Sequence, residues 1–398
     1  MGASDVPDAP TPAASPTGTA GGGSSGLSFQ IRSRLSATDA ADAVRGRDLQ
    51  VTFRLSGVTT GGRTLNHLGL TPDGQVVSAA NPVPKTGDGE LTIGQSRVGL
   101  YTGGRARELS TRQRGPARQA IYADADERTV AWMETTSTDL YQMDWLVYGF
   151  DRRSERTVLL GDSAAVAKGK KMPIPPGVSL LSVGGGRVYW TTAVPTKGER
   201  EFGAQILGRS LTGDGSPEVV AEQAKLPAAA GSDLYYVRTE DVAPGFPVDR
   251  YEIRKVAGGR DVVVASGPLT AGQQVTALTA EAEHVSWIVS APQPEPAASL
   301  FVLDPASGQA TQVALGDNGS TMTLSSSPGR VCWSNGSGGG DAGQYVLDVQ
   351  PGRLLRLGEA PGLSLVFGAG DHVAWSELGA EPQKPGQNFL TVARLSSG

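Results

Sequence analysis

A short word recurs along this chain and restricts its fold more than any other feature. It reads Thr129-Val130-Ala131-Trp132, Arg187-Val188-Tyr189-Trp190, His284-Val285-Ser286-Trp287, Arg330-Val331-Cys332-Trp333 and His372-Val373-Ala374-Trp375, with a weaker copy at Asp233-Leu234-Tyr235-Tyr236. An apolar residue, a variable one and a large aromatic in succession have the period of a β-strand with one buried face. Copies about 42 to 58 residues apart match the length of a propeller blade or slightly exceed it. Each blade is a small sheet that cannot bury its surface alone, so the units must stack into a ring.

Composition agrees with many short strands joined by turns: 54 Gly, 26 Pro, 38% hydrophobic and 19% charged residues, with no long window of helical periodicity. The chain tiles as an all-β, seven-bladed β-propeller of four-stranded blades at about 63–111, 116–162, 177–222, 226–268, 275–316, 321–358 and 362–395, with six or eight blades as alternatives. The last unit stops after three strands. A strand at 49–55, Gln50 to Leu55 at its centre, lies just before the first unit and is expected to supply the fourth, closing the ring. Ser28 to Arg32 reads as an extra edge strand or as part of the tail. Residues 1–26 are rich in Pro, Ser, Thr and Gly, too poor in apolar side chains to offset the entropy of ordering, and read as a disordered linker.

Thr71-Pro72-Asp73-Gly74 ahead of Gln75-Val76-Val77-Ser78 resembles the Pro-Asp-Gly hairpin of the TolB-like and WD40-like bacterial β-propeller superfamily, and Asp139 to Asp144 is similar to its third-strand entry. The resemblance implies a non-catalytic platform for protein partners. The N-terminal segment is similar to the spacers that hold exported bacterial domains away from a lipid or transmembrane anchor, so an extracytoplasmic, tethered protein is expected. The sequence itself holds no apolar run long enough to span a bilayer.

With strands lettered A to D outward from the pore, A–B and C–D turns share one face and the longer B–C and D–A connections share the other. Binding residues concentrate on long loops held by rigid scaffolds, so the long-loop face is the expected site for a protein partner or cell-envelope component. Tyr141, Trp145, Phe202 and Phe246 are its candidate aromatic anchors, and Lys168, Lys170, Lys171, Lys197 and Arg200 its basic flank. The net charge of -5 speaks against nucleic acid held by bulk charge. No cofactor, metal or catalytic residue is expected. Cys332, the single cysteine, reads as a small core residue, and His284 and His372, at the same place in two copies of the word, as repeat structure. Asp124, Asp126 and Glu127 read as an A–B turn, although paired carboxylates are what glycosidases use. A carbohydrate-active propeller enzyme of the envelope and a ligand-sensing domain of a membrane-anchored protein are the alternative functions.

Overall fold

The computed structural model describes residues 26–82, 94–110, 116–137, 143–166, 173, 180–195, 202–270, 272–291, 298–316, 321–336, 342–359, 364–378 and 388–396. In it the recurring word forms strand B of each blade that carries it. Strands A to D are Thr64–Leu70, Val76–Asn81, Arg97–Thr102 and Arg105–Glu108 in blade 1; Gln119–Ala125, Thr129–Thr135, Leu146–Asp151 and Arg156–Asp162 in blade 2; and Leu181–Gly184, Arg187–Pro195, Phe202–Ser210 and Glu218–Glu222 in blade 3. Blade 4 comprises Lys225–Ala230, Asp233–Arg238, Arg250–Ala257 and Arg260–Pro268, and blade 5 Gln274–Ala280, Val285–Ser290, Ser299–Asp304 and Gln309–Ala314. Blade 6 comprises Thr321–Ser327, Arg330–Asn335, Gly343–Asp348 and Arg353–Gly358, and blade 7 Val366–Ala369, His372–Leu378 and Asn388–Leu395. The fourth strand of blade 7 is Leu49–Ser56, antiparallel to Asn388–Leu395. The ring therefore has seven blades and is closed by the strand expected from the sequence.

The described core divides into apolar clusters that follow the seams between blades. Val130 and Trp132 meet Val77, Ala79 and Leu100 of blade 1, while Ala131 and Met133 meet Val183, Val188 and Trp190 of blade 3. The same polarity recurs where Trp287 joins blades 4 and 5, Trp333 blades 5 and 6 and Trp375 blades 6 and 7. In every case the valine and tryptophan face the preceding blade and the smaller residue between them faces the next. The sequence reading of one buried face needs correction: strands B of blades 2 and 5 are buried along their whole length, on both faces. Their period of two separates large from small side chains rather than inside from outside, because a neighbouring blade covers each side.

Cross-strand stacking reinforces the word. Trp132 lies against Tyr148, Trp287 against Phe301 and Trp333 against Tyr345, with ring centroids 5.3–5.4 Å apart. Blade 1, where the word is missing, places Ser78 at the tryptophan position opposite Gly99 on strand C. His67, its strand A partner, approaches Ser78 Oγ at 2.9 Å through Nδ1.

The segment before blade 1 does more than close the ring. Gln30–Ser36 runs parallel to Gln309–Ala314 on the outside of blade 5, and Ala41–Asp42 runs parallel to Leu355–Arg356 on blade 6. Phe29 inserts edge-on against Trp287 and Phe301, with centroids at 5.3 and 5.7 Å. At the clasp, Asp48 accepts from Arg47 and from the Val44 amide and is reached by Arg353 of blade 6. Glu377 receives both Arg54, at 2.5 Å, and Arg45, and accepts the Trp375 indole N–H at 3.1 Å. Residues 27–56 thus lace blades 4 to 7, starting where Ser28 bonds Ser266 of blade 4, before the chain enters blade 1.

Removing residues 45–57 should lower Tm sharply, since it opens blade 7 and the seam to blade 1 together; an unchanged melt in differential scanning calorimetry would show that the ring stands without the clasp. Phe29→Ala should cost about 3 kcal/mol in denaturant unfolding, the usual scale for emptying a buried aromatic site.

Candidate functional site

A strand A has a partner on one edge only, so its other edge faces the axis and needs hydrogen-bond partners. Neighbouring blades supply them. Ser182 Oγ accepts the Ala229 amide at 3.0 Å, Ser325 Oγ the Gly368 amide at 2.8 Å and Thr323 Oγ1 the Val366 amide at 3.0 Å. Asp124 Oδ2 performs the same task between blades 2 and 3, accepting the Val183 amide at 2.8 Å. A carboxylate stands where blades 3 and 6 use a hydroxyl.

These strands enclose a central channel of about 580 Å³ that reaches the A–B turns. Asp124, Asp126 and Glu127 line it from blade 2 and Glu281 lines it from blade 5, across the ring. Among the described residues the lining holds neither lysine nor arginine. Enclosure pushes the Asp124 carboxyl up to about 6, with the Asp126 charge adding to the shift and the Val183 and Ala125 amides and Ser182 hydroxyl opposing it. Glu281 is pushed up to about 7, first by burial and then by the negative charges of Asp124, Glu127 and Glu283. His67, also in the wall, is pushed down to about 4 by burial and is neutral at pH 7. Asp126 does sit in the expected turn, where Oδ1 accepts the Arg128 and Thr129 amides at 2.9 and 2.6 Å. Asp124 does not: it belongs to strand A.

The acidic mouth opens on the A–B turn face, opposite the long loops. Of the residues expected on the long-loop face, Trp145 is only 5% exposed. It packs edge-on against Trp190 and donates its indole N–H to Thr192 Oγ1 at 3.2 Å, so it is a seam residue between blades 2 and 3 and not a solvent-facing anchor. Phe202 is half-buried at the start of strand C of blade 3, paired with Pro195. Phe246 is half-buried beneath the Arg238 guanidinium, 5.6 Å from its ring centroid. Tyr141, Lys168, Lys170, Lys171, Lys197 and Arg200 lie outside the described residues.

The two histidines of the repeated word tie blade 5 to blade 6 and blade 7 to blade 1. The His372 ring sits against blade 1, with Nδ1 3.1 Å from the Pro72 carbonyl and 2.8 Å from Asp371, while Arg394 donates to Nε2 at 3.3 Å. That arrangement places the proton on Nδ1. A Cβ at Gly74, which has φ +81, would come within 2.6 Å of this ring, so the Pro-Asp-Gly hairpin needs its glycine for conformation and for space. His284 is buried, bonded to the Arg330 backbone and pushed down to about 4 by desolvation. Cys332 is fully buried beside Gly368, its thiol pushed up to about 12 by burial.

Seven radial four-stranded sheets around a walled channel define a β-propeller. No family model matches the sequence, and no curated protein matches it either. Its fold is similar to that of the acylaminoacyl peptidase of Pyrococcus horikoshii, with a TM-score of 0.52 and 10% identity over 86% of this chain. The match covers 54% of the peptidase, so this chain spans about half the length of that relative. The propeller domain of the trilobed protease from Pyrococcus furiosus, described by an open velcro topology, aligns with a TM-score of 0.50 and 8% identity over 87% of this chain and 97% of its own. An oligogalacturonate lyase in complex with manganese aligns with a TM-score of 0.47 and 12% identity over 90% of this chain and 99% of its own. At such identities the likeness is one of fold, and fold does not carry activity with it.

Glu281→Gln should raise Tm at pH 8, where the native carboxyl is ionised at a cost, and the gain should shrink below pH 7 and vanish by about pH 4, below the ordinary glutamate value of 4.5, where folded and unfolded wild type are both protonated. An equal gain at both pH values would show that charge at Glu281 is not what the substitution relieves.

Proposed function

We propose that the protein is a non-catalytic, extracytoplasmic binding propeller that receives a positively charged group, an amine or guanidinium, of a protein or cell-envelope partner at the acidic mouth of its channel. The observation behind this reading is the convergence of Asp124, Glu127 and Glu281 from opposite sides of the ring at a mouth whose described lining has no lysine or arginine. Carboxylates crowded in a low-dielectric wall repel one another, and a cation entering between them relieves that repulsion. The proposed contact thereby moves from the long-loop face to the turn face. The exported setting rests on the composition of residues 1–26.

A second reading, a carbohydrate-active enzyme, draws support from the same groups. A carboxyl pushed up to about 7, as in Glu281, keeps a proton near neutral pH, which a glycosidase's general acid must do. Asp124, fixed by the Val183 amide, would be its partner acid.

One set of measurements separates the two. Lysine-rich peptides titrated calorimetrically into wild type and Glu281→Gln should bind the wild type more tightly, with affinity rising from pH 6 to pH 8 as the carboxyl ionises. Turnover of a polysaccharide panel that is lost in Glu281→Gln would establish the enzyme instead. Neither binding nor turnover would defeat both readings.

A further inference from the structure

We propose that the cleft between blades 1 and 2, on the turn face beside the channel mouth, is a second binding site, and that its ligand is an acidic peptide segment carrying an apolar side chain. The cleft encloses about 840 Å³ and is lined by five arginines from three separate stretches of chain. Arg105 and Arg107 alternate along strand D of blade 1 and so project to the same side of the sheet. Arg128 comes from the A–B turn of blade 2, and Arg152 and Arg153 from its C–D turn.

Three of these guanidiniums are already positioned. Arg152 bonds Asp73 of blade 1 at 2.7 Å and the Glu127 carbonyl at 3.2 Å. Arg128 pairs with Asp151 at 3.0 Å, and Arg107 pairs with Glu155 at 3.0 Å while lying 5.0 Å from the Phe150 ring centroid. Arg105 and Arg153 are exposed on the rim, so their charge faces whatever enters. Guanidinium forks match carboxylates with two parallel hydrogen bonds and stay charged at every physiological pH.

The apolar part of the lining selects among anions. Leu100 and Phe150 form part of the wall beneath the arginines. A bare phosphate or polyphosphate would leave that surface unused, whereas a peptide with acidic residues around one aromatic or aliphatic side chain would use both. Pro72 and Glu127 line both the cleft and the channel, so a single thin wall divides a basic site from an acidic one. The inference draws on different residues from the channel reading and stands or falls separately.

The test is fluorescence anisotropy with a labelled peptide of glutamates and aspartates flanking a central phenylalanine. Comparators are the same peptide with lysines for the acids, the same peptide with alanine for phenylalanine, and unlabelled polyphosphate as competitor. The acidic phenylalanine peptide should bind best, lose affinity steeply with salt, and bind the Arg105→Glu, Arg153→Glu double variant at least about tenfold more weakly. Both side chains are exposed, and a circular dichroism melt will confirm that the variant is folded; should it not be, Arg153→Gln alone, with an expected loss of severalfold, serves in its place. Equal binding of the lysine peptide, or an affinity unmoved by charge reversal in the folded variant, overturns the site. Equal binding of the alanine peptide together with displacement by polyphosphate overturns the peptide and leaves a simple anion site.

Discussion

Side chains make most of the contact that holds one blade to the next, with few backbone bonds across the seams, such as Ser96 N–H to the Arg118 carbonyl. Hydrogen-bonded ladders run within each sheet, but between sheets the contact is the packing of strand B tryptophans against the preceding blade, with polar ties near the axis. An indole buries on the order of 200 Å² of surface, so the one at each of the seams entering blades 2, 3, 5, 6 and 7 is a large share of what joins those neighbours. In a closed ring the arrangement is self-consistent, since each blade that carries the tryptophan word presents a large side chain backwards and a smaller one forwards, and blade 1, with Ser78, departs from it. An open arc would leave one bulky face and one flat face in water. The clasp of Leu49–Ser56 on blade 7, together with the cluster joining Leu390 and Val392 to Leu70 and Val76 of blade 1, removes that defect.

The same dependence explains what was legible in the sequence. Tryptophan at a fixed phase is conspicuous, so the blades, their number and the closing strand follow from it. Burial of strand B on both faces was not legible, because alternation of size and alternation of exposure look alike in a single chain. Asp124 looked like a turn residue because it stands two positions before one, and only the axial geometry shows it substituting for a hydroxyl. Trp145 looked like an anchor because it adjoins a long connection, whereas Gly161 beside it leaves room for its ring in the seam. The arginine cleft is assembled from residues 105–107, 128 and 152–153, and no local pattern joins them. The Arg152-Arg153 doublet and the alternation of Arg105 with Arg107 were the only traces.

The channel departs from what stability alone would select. A hydroxyl at position 124 would satisfy the Val183 amide without a buried charge, as Ser182 and Ser325 do for their neighbours. Keeping a carboxylate there, opposite a second one at Glu281, weakens the ring at neutral pH. Departures of this kind from local consistency concentrate where a protein meets its ligand.

The lacing of blades 4 to 7 also fixes where the chain arrives. Gly26 lies beside Pro268 at the outer strand of blade 4, and Ser28 bonds Ser266 there. The described polypeptide therefore joins the disc at its circumference and not through either flat side. The acidic hub and the arginine cleft both lie away from that outer strand, on one flat side, and are turned the same way.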